Sequence, residues 1–136
     1  MAQRLAHVTI VVPDYDAAIA FYTGVLGFRL VVDEYRPAQD KRWVVVQPSG
    51  GGTSFVLGRA KNDREAAAIG NQSGGRVFLF LDTDDLHGDL ARLRAHDIRI
   101  VRQPKVAEYG TVAVFADPFG NLWDLIQRDQ GQYPEG

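Results

Sequence analysis

Apolar and polar positions along this chain follow two rhythms, the two-residue alternation of strands and the three-to-four-residue spacing of helices. The two rhythms succeed each other in a fixed order. "AHVTIVV" (6–12) is apolar and β-branched and predicts a strand. In "PDYDAAIAFYTGVLGF" (13–28), Pro13 blocks the strand and Asp14 suits a helix N-cap. Ala18, Phe21, Tyr22 and Val25 then recur at helical spacing and predict one apolar stripe. Gly27 can stop that helix in a left-handed conformation. "FRLVVDEY" (28–35), "RWVVVQ" (42–47) and "TSFVLGR" (53–59) predict three more strands, the last two joined by the turn "PSGGG" (48–52). "AKNDREAAAIGNQSGG" (60–75) is polar, Ala-rich and Gly-ended, a linker with room for a short helical turn.

The plan then repeats. "RVFLFL" (76–81) predicts a strand, and Leu86, Leu90 and Leu93 in "TDDLHGDLARLRAHD" predict an amphipathic helix. "IRIVRQP" (98–104), "GTVAVFAD" (110–117) and "NLWDLIQ" (121–127) predict strands. "DPFG" has Asp, Pro and Gly where a type I turn wants them, and it should close a hairpin. "RLV" at 29–31 answers "RIV" at 99–101, each just after a helix. The expectation is one α+β domain over 1–136. It would hold two βαβββ modules, at about 5–60 and 76–128, a linker at about 61–75 and a polar tail at 129–136. One helix covers only one face of each sheet, so the mixed sheets are expected to curl around a shared cavity with their helices outside.

Side-chain alternation assigns faces. His7, Thr9 and Val11 share one face of the first strand, and Val8, Ile10 and Val12 share the other. Arg76, Phe78 and Phe80 alternate with Val77, Leu79 and Leu81. Leu122, Asp124 and Ile126 alternate with Trp123, Leu125 and Gln127. His7, Arg76 and Asp124 are thus expected to face the cavity. Simpler readings compete. A lone His in an apolar strand is more often structural than a ligand, and Arg76 with Asp124 is more often an ion pair than a catalytic couple, since either charge buried alone is costly. His87 and His96 read as solvated, and Glu108 and Tyr109 as surface loop. Asp33 and Glu34 point opposite ways and form no dyad, and "GGG" at 50–52 lacks the ending of a phosphate loop.

Composition narrows the classes. Lys and Arg number 15 against 17 Asp and Glu, with no basic patch, so nucleic acid is not an expected partner. Cys is absent, which excludes disulfides, thiolate nucleophiles and Cys-zinc sites. No apolar run is long enough to span a membrane, and the N-terminus lacks a signal-peptide pattern, so a cytoplasmic location is expected.

"HVTIVVPDYDAAIAFYTGVLGF" and "DPFGNLWDLIQ", set in the duplicated plan, resemble the vicinal oxygen chelate superfamily over essentially residues 5–128. That superfamily contains glyoxalases, bleomycin- and fosfomycin-resistance proteins, extradiol dioxygenases and methylmalonyl-CoA epimerases. The resemblance implies paired modules and a homodimer. Its metal enzymes take a His in strand one, here His7, and a Glu or Gln in strand four, here near Val56. They also take a His at the start of strand five, here Arg76, and a Glu in strand eight, here Asp124. Two readings follow. In the first, a cavity lined by His7, Arg76, Phe78, Phe80 and Asp124 binds a small anionic or aromatic organic ligand without a cofactor, and His7 is the candidate base. In the second, His7 and Asp124 hold a divalent metal (Zn, Ni, Mn or Fe) in a glyoxalase-type lyase, an isomerase or a ring-cleaving dioxygenase. The first is preferred, because a guanidinium cannot coordinate a cation and Arg76 would itself neutralise Asp124.

Overall fold

The computed structural model describes residues 1–129. The polar tail expected at 129–136 lies, from residue 130 on, outside the described residues. The chain forms two units, Met1–Ile69 and Gly70–Gly136, so the junction falls inside the expected linker.

Unit one contains β1 (His7–Val12), α1 (Tyr15–Ile19), β2 (Arg29–Arg36), β3 (Lys41–Gln47), β4 (Ser54–Arg59) and α2 (Asp63–Ala68). Its sheet runs β1-β4-β3-β2, with β1 parallel to β4 and the other pairs antiparallel. Asp14 caps α1 by accepting from the Ala17 N–H at 2.8 Å. The helix then widens into a π-helical segment over Ala20–Val25. The wider turn lets two successive rings, Phe21 and Tyr22, both face the sheet. It also moves the end of the apolar stripe by one residue. Val25, expected in the core, is only half-buried, and Leu26 takes its place. Gly27, at φ 83°, ends the segment as expected. Tyr22, Phe28 and Phe55 stack in series, with centroids 5.9 and 6.1 Å apart, over Ile10, Val12, Val44, Val46 and Leu57.

The expected linker holds a short helix. Asn62 accepts from the Glu65 N–H at 2.8 Å while Glu65 accepts from the Lys61 N–H at 3.0 Å. This reciprocal capping starts α2, which packs on β1 and belongs to unit one.

Unit two contains β5 (Leu79–Asp82), α3 (Leu86–Ala95), β6 (Ile100–Ala107), β7 (Gly110–Ala116) and β8 (Leu122–Arg128). Its sheet runs β5-β8-β7-β6 with the same parallel and antiparallel pattern, so the chain is α+β with two βαβββ modules. Both sheets are open. Leu86, Leu90 and Leu93 are all buried, with α3 packed on β8. β6 runs three residues past the expected end at Pro104. It is an edge strand, where a residue without an N–H is tolerated.

The 117–120 turn forms the expected hairpin, closed by Gly120 N–H to Asp117 O at 3.0 Å. Asp117 is 4% exposed, yet its carboxylate accepts from the N–H groups of Phe119 and Asn121 and from Asn121 Nδ2 and Trp123 Nε1, at 2.9 to 3.0 Å. Replacing it orphans those donors. Asp117→Ala is expected to cost about 3–4 kcal/mol, with Asp117→Asn costing less, in urea unfolding at neutral pH.

Gly70, at φ 69°, abuts the same turn: a Cβ built there would lie 2.1 Å from Phe119 O. Backbone cannot move aside as a side chain can. Gly70→Ala is therefore expected to destabilise by about 2–3 kcal/mol. Gly50→Ala, with nothing within 4 Å, should unfold at an unchanged midpoint.

Candidate functional site

In each unit one sheet face carries the helix; the other, here called the open face, exposes residues at its edges while its central Val45 and Val114 are buried. On unit one, burial separates Ile10 and Val12, on the helix side, from the exposed His7 and Thr9. Strand pairing puts Thr9, Val56, Val45 and Val32 in one row across the open face. His7 lies on that face at the start of β1, paired with Ser54. The Trp43 indole stands edge-on to its imidazole, centroids 6.4 Å apart, and Lys41 Nζ lies 5.9 Å from the Trp43 ring.

On unit two, Trp123 and Leu125 are buried on the helix side, so Asp124 faces the open side. Pairing builds the equivalent row: Phe80, Asp124, Val114 and Arg102. Phe80 is 68% exposed and Asp124 half-buried. Phe78 precedes Phe80 by two residues, and its N–H donates to Leu122 O at 2.8 Å. The two rows match position by position. Thr9 corresponds to Phe80, Val56 to Asp124, Val45 to Val114 and Val32 to Arg102. By the same count His7 corresponds to Phe78.

Two expectations need correction. First, β5 begins at Leu79, and Arg76 sits in a bend before the ladder. Ser73 Oγ donates to Arg76 O at 2.6 Å, and Gly74 and Gly75 turn the chain at φ 69° and 93°. The strand alternation that aligned Arg76 with Phe78 and Phe80 therefore stops short of it. Second, Asp124 does not pair with Arg76. Burial raises the Asp124 pKa from its ordinary value, and the charge opposing that rise is Arg102. Sequence reasoning missed Arg102 because its face depends on a register shift.

The other acidic candidates are accounted for. Asp33 receives both ends of the Arg42 guanidinium, at 2.8 and 2.9 Å, and that contact lowers its pKa. Arg42 also bridges to Asp16 at 3.0 Å and lies 5.4 Å from the Tyr15 ring, tying β2 and β3 to α1. Glu34, on the opposite face, meets Arg36 at 3.5 Å. His87, His96 and Glu108 are exposed, and the Arg128 guanidinium lies 5.8 Å from the Tyr109 ring. A shallow depression of about 500 Å³ lies between the end of α3 and the 117–120 turn, and none of the five predicted site residues lines it.

The comparisons agree with this architecture. Residues 4–125 match the Glyoxalase/Bleomycin resistance protein/Dioxygenase superfamily, and the chain belongs to that family. It is 52% identical over 133 residues to an uncharacterized protein of Shewanella frigidimarina, covering 97% of this chain and 98% of that one. Among solved structures it is similar to TnmS3, an antibiotic binding protein from Streptomyces sp. CB03234. The TM-score is 0.74 at 30% identity, over 94% of this chain and 98% of that one. It is also 29% identical to human mitochondrial methylmalonyl-CoA epimerase, over 93% of this chain and 73% of that protein.

The side chains present do not fit a metal centre of the kind the family implies. By the internal register His7 corresponds to Phe78 and Val56 to Asp124, so the strand-five position that the resemblance assigned to Arg76 falls on Phe78. Valine and phenylalanine have no donor atom, and a catalytic divalent centre takes three protein ligands. Among the described residues no three His, Asp or Glu side chains come together.

The raised Asp124 pKa has a consequence for stability. For an acid shifted upward, the protonated form is favoured in the fold. Ionisation therefore costs stability as pH rises through the unfolded value, near the ordinary 3.8, and the cost is complete above the folded value. Asp124→Asn should raise the unfolding midpoint at pH 7, and the gain should vanish below about pH 3.8. Thermal melts of both proteins from pH 3 to 8 test this.

Proposed function

We propose that the protein binds a small organic molecule, aromatic or anionic, against the open faces of its sheets, without a catalytic metal. The observation that carries the reading is the pair Val56 and Phe78, hydrocarbon side chains at two of the four positions that would hold an ion. Support comes from the mixture left on those faces. Phe80 and Trp43 offer aromatic surface, while His7 and Asp124 offer placed polar groups, a combination characteristic of small-ligand sites. The likeness to an antibiotic binding protein points the same way. His7 is the residue suited to proton transfer near neutral pH, should the ligand also be transformed. The reading includes a cytoplasmic homodimer, which would cover edge strands of the two open sheets.

A second reading, a divalent-metal lyase, isomerase or dioxygenase, is favoured by His7 and Asp124 at two family positions and by the likeness to an epimerase. Equilibrium dialysis against Ni, Zn, Mn and Fe separates the two. The expected result is no stoichiometric uptake. One bound ion per chain, with turnover of hemithioacetals, catechols or acyl-CoA esters that His7→Ala abolishes, would establish the second reading instead.

A further inference from the structure

β6 carries two register shifts against β7, one between Ile100 and Arg102 and one between Arg102 and Lys105, on either side of Arg102. Each changes where a charge points. Ile100 pairs with Phe115, whose ring stacks on Trp123 on the helix side. In an unbroken strand Arg102, two residues on, would share that side. The first shift instead sets Arg102 opposite Val114, in the row of Asp124. Gln103 confirms the parity, since its Oε1 accepts from Arg94 of α3 at 2.7 Å and so faces the helix. The second shift, around Pro104, sets Lys105 opposite Val112, which pairs with Ile126, again on the open side. Two bulges in one edge strand thus turn two exposed cations toward the face that holds one half-buried carboxylate.

Resting on the binding reading above, the geometry points to Arg102 and Lys105 as the anion-recognising residues of unit two. They define a ligand with an aromatic ring, a hydrogen-bond donor and an anionic group in line. The row fixes the order. Asp124 takes the donor at one end, Arg102 with Lys105 the anion at the other, and Phe80 the edge of the ring system; Val114 beneath is 2% exposed, so the ligand rests on the side chains around it. At about 4.8 Å per strand the row spans about 14 Å, the reach of a two- or three-ring molecule. Asp124 and Arg102 are two strands apart and form no ion pair among the described residues, so a ligand's polar groups can lie between them. Unit one offers no such row, because Val32, Val45 and Val56 fill the matching positions.

The test uses three fluorescent probes, 6-hydroxy-2-naphthoate, 2-naphthoate and 2-naphthol, titrated against the full chain. Wild type is expected to bind 6-hydroxy-2-naphthoate about tenfold more tightly than 2-naphthol. Arg102→Gln with Lys105→Gln should erase that preference and leave 2-naphthol affinity unchanged, while Arg76→Gln should preserve it. Phe80→Ala should weaken all three probes. Near-UV circular dichroism checks that each variant is folded. If the preference survives the double variant, or is lost in Arg76→Gln, the assignment is overturned. Equal binding of 2-naphthoate and 2-naphthol by wild type overturns the anion site and leaves the binding reading standing. Failure of all three probes to bind overturns the ligand class. Stoichiometric metal uptake in dialysis, by contrast, overturns the metal-free reading on which the proposal rests.

Discussion

A buried carboxylate anchors the arrangement of unit two. Asp117 is almost wholly out of water, and an ion there is tolerated because backbone and side-chain N–H groups surround it. Two of those donors, Asn121 N and Phe119 N, belong to the turn itself. A third, Trp123 Nε1, belongs to β8. The same carboxylate that shapes the turn therefore pulls Trp123 toward the helix side, where its ring stacks on Phe115 at 6.0 Å. Strand alternation does the rest: with Trp123 inward, Asp124 has only the open face available. The position of the functional candidate follows from a structural neighbour seven residues earlier in the chain.

Duplication gives both units this two-faced sheet, but they have diverged on the open side. Unit one carries Thr, Val, Val and Val across its central row, and unit two carries Phe, Asp, Val and Arg. Both units also share a bulge at the same point of their second strand, after Leu30 and after Ile100. In unit one the bulge presents Val32, and in unit two it presents Arg102. A backbone irregularity common to both repeats has thus been put to different uses by changing one side chain.

The strongly periodic parts of the fold were legible from residue pattern alone. The helix stripe Leu86, Leu90 and Leu93, the Asp14 cap, the hairpin at 117–120 and the alternation in β1 and β8 each rest on a local rule that tertiary packing then supports. The features misplaced or missed are those where the local period is broken. The π-helical turn exchanged Val25 for Leu26, because packing two adjacent rings mattered more than ideal helix geometry. The bend at 71–76 removed Arg76 from the strand whose parity had been extended to it. The bulges in β6 moved Arg102 and Lys105 across the sheet. The last two leave little trace in hydrophobicity, since Arg76, Arg102 and Lys105 are charged and belong at the surface whichever way they point. The repeated "RIV" was the available signal, because it marks where the bulge of one unit has its counterpart in the other.

The hydrocarbon side chains of Val56 and Phe78 and the cationic edge of unit two are physically compatible. A face that holds a divalent ion needs carboxylates and imidazoles, and a nearby guanidinium would oppose the ion's charge. With Val56 and Phe78 in place of donors, that constraint is lifted, and a cation such as Arg102 can stand in the row of Asp124. Its presence also limits what Asp124 becomes. Burial drives the carboxyl toward its neutral form, while Arg102 holds it toward the ionised one. The net direction is upward, so burial outweighs the support that Arg102 gives, and a hydroxyl or N–H placed against the carboxylate would offset part of that cost.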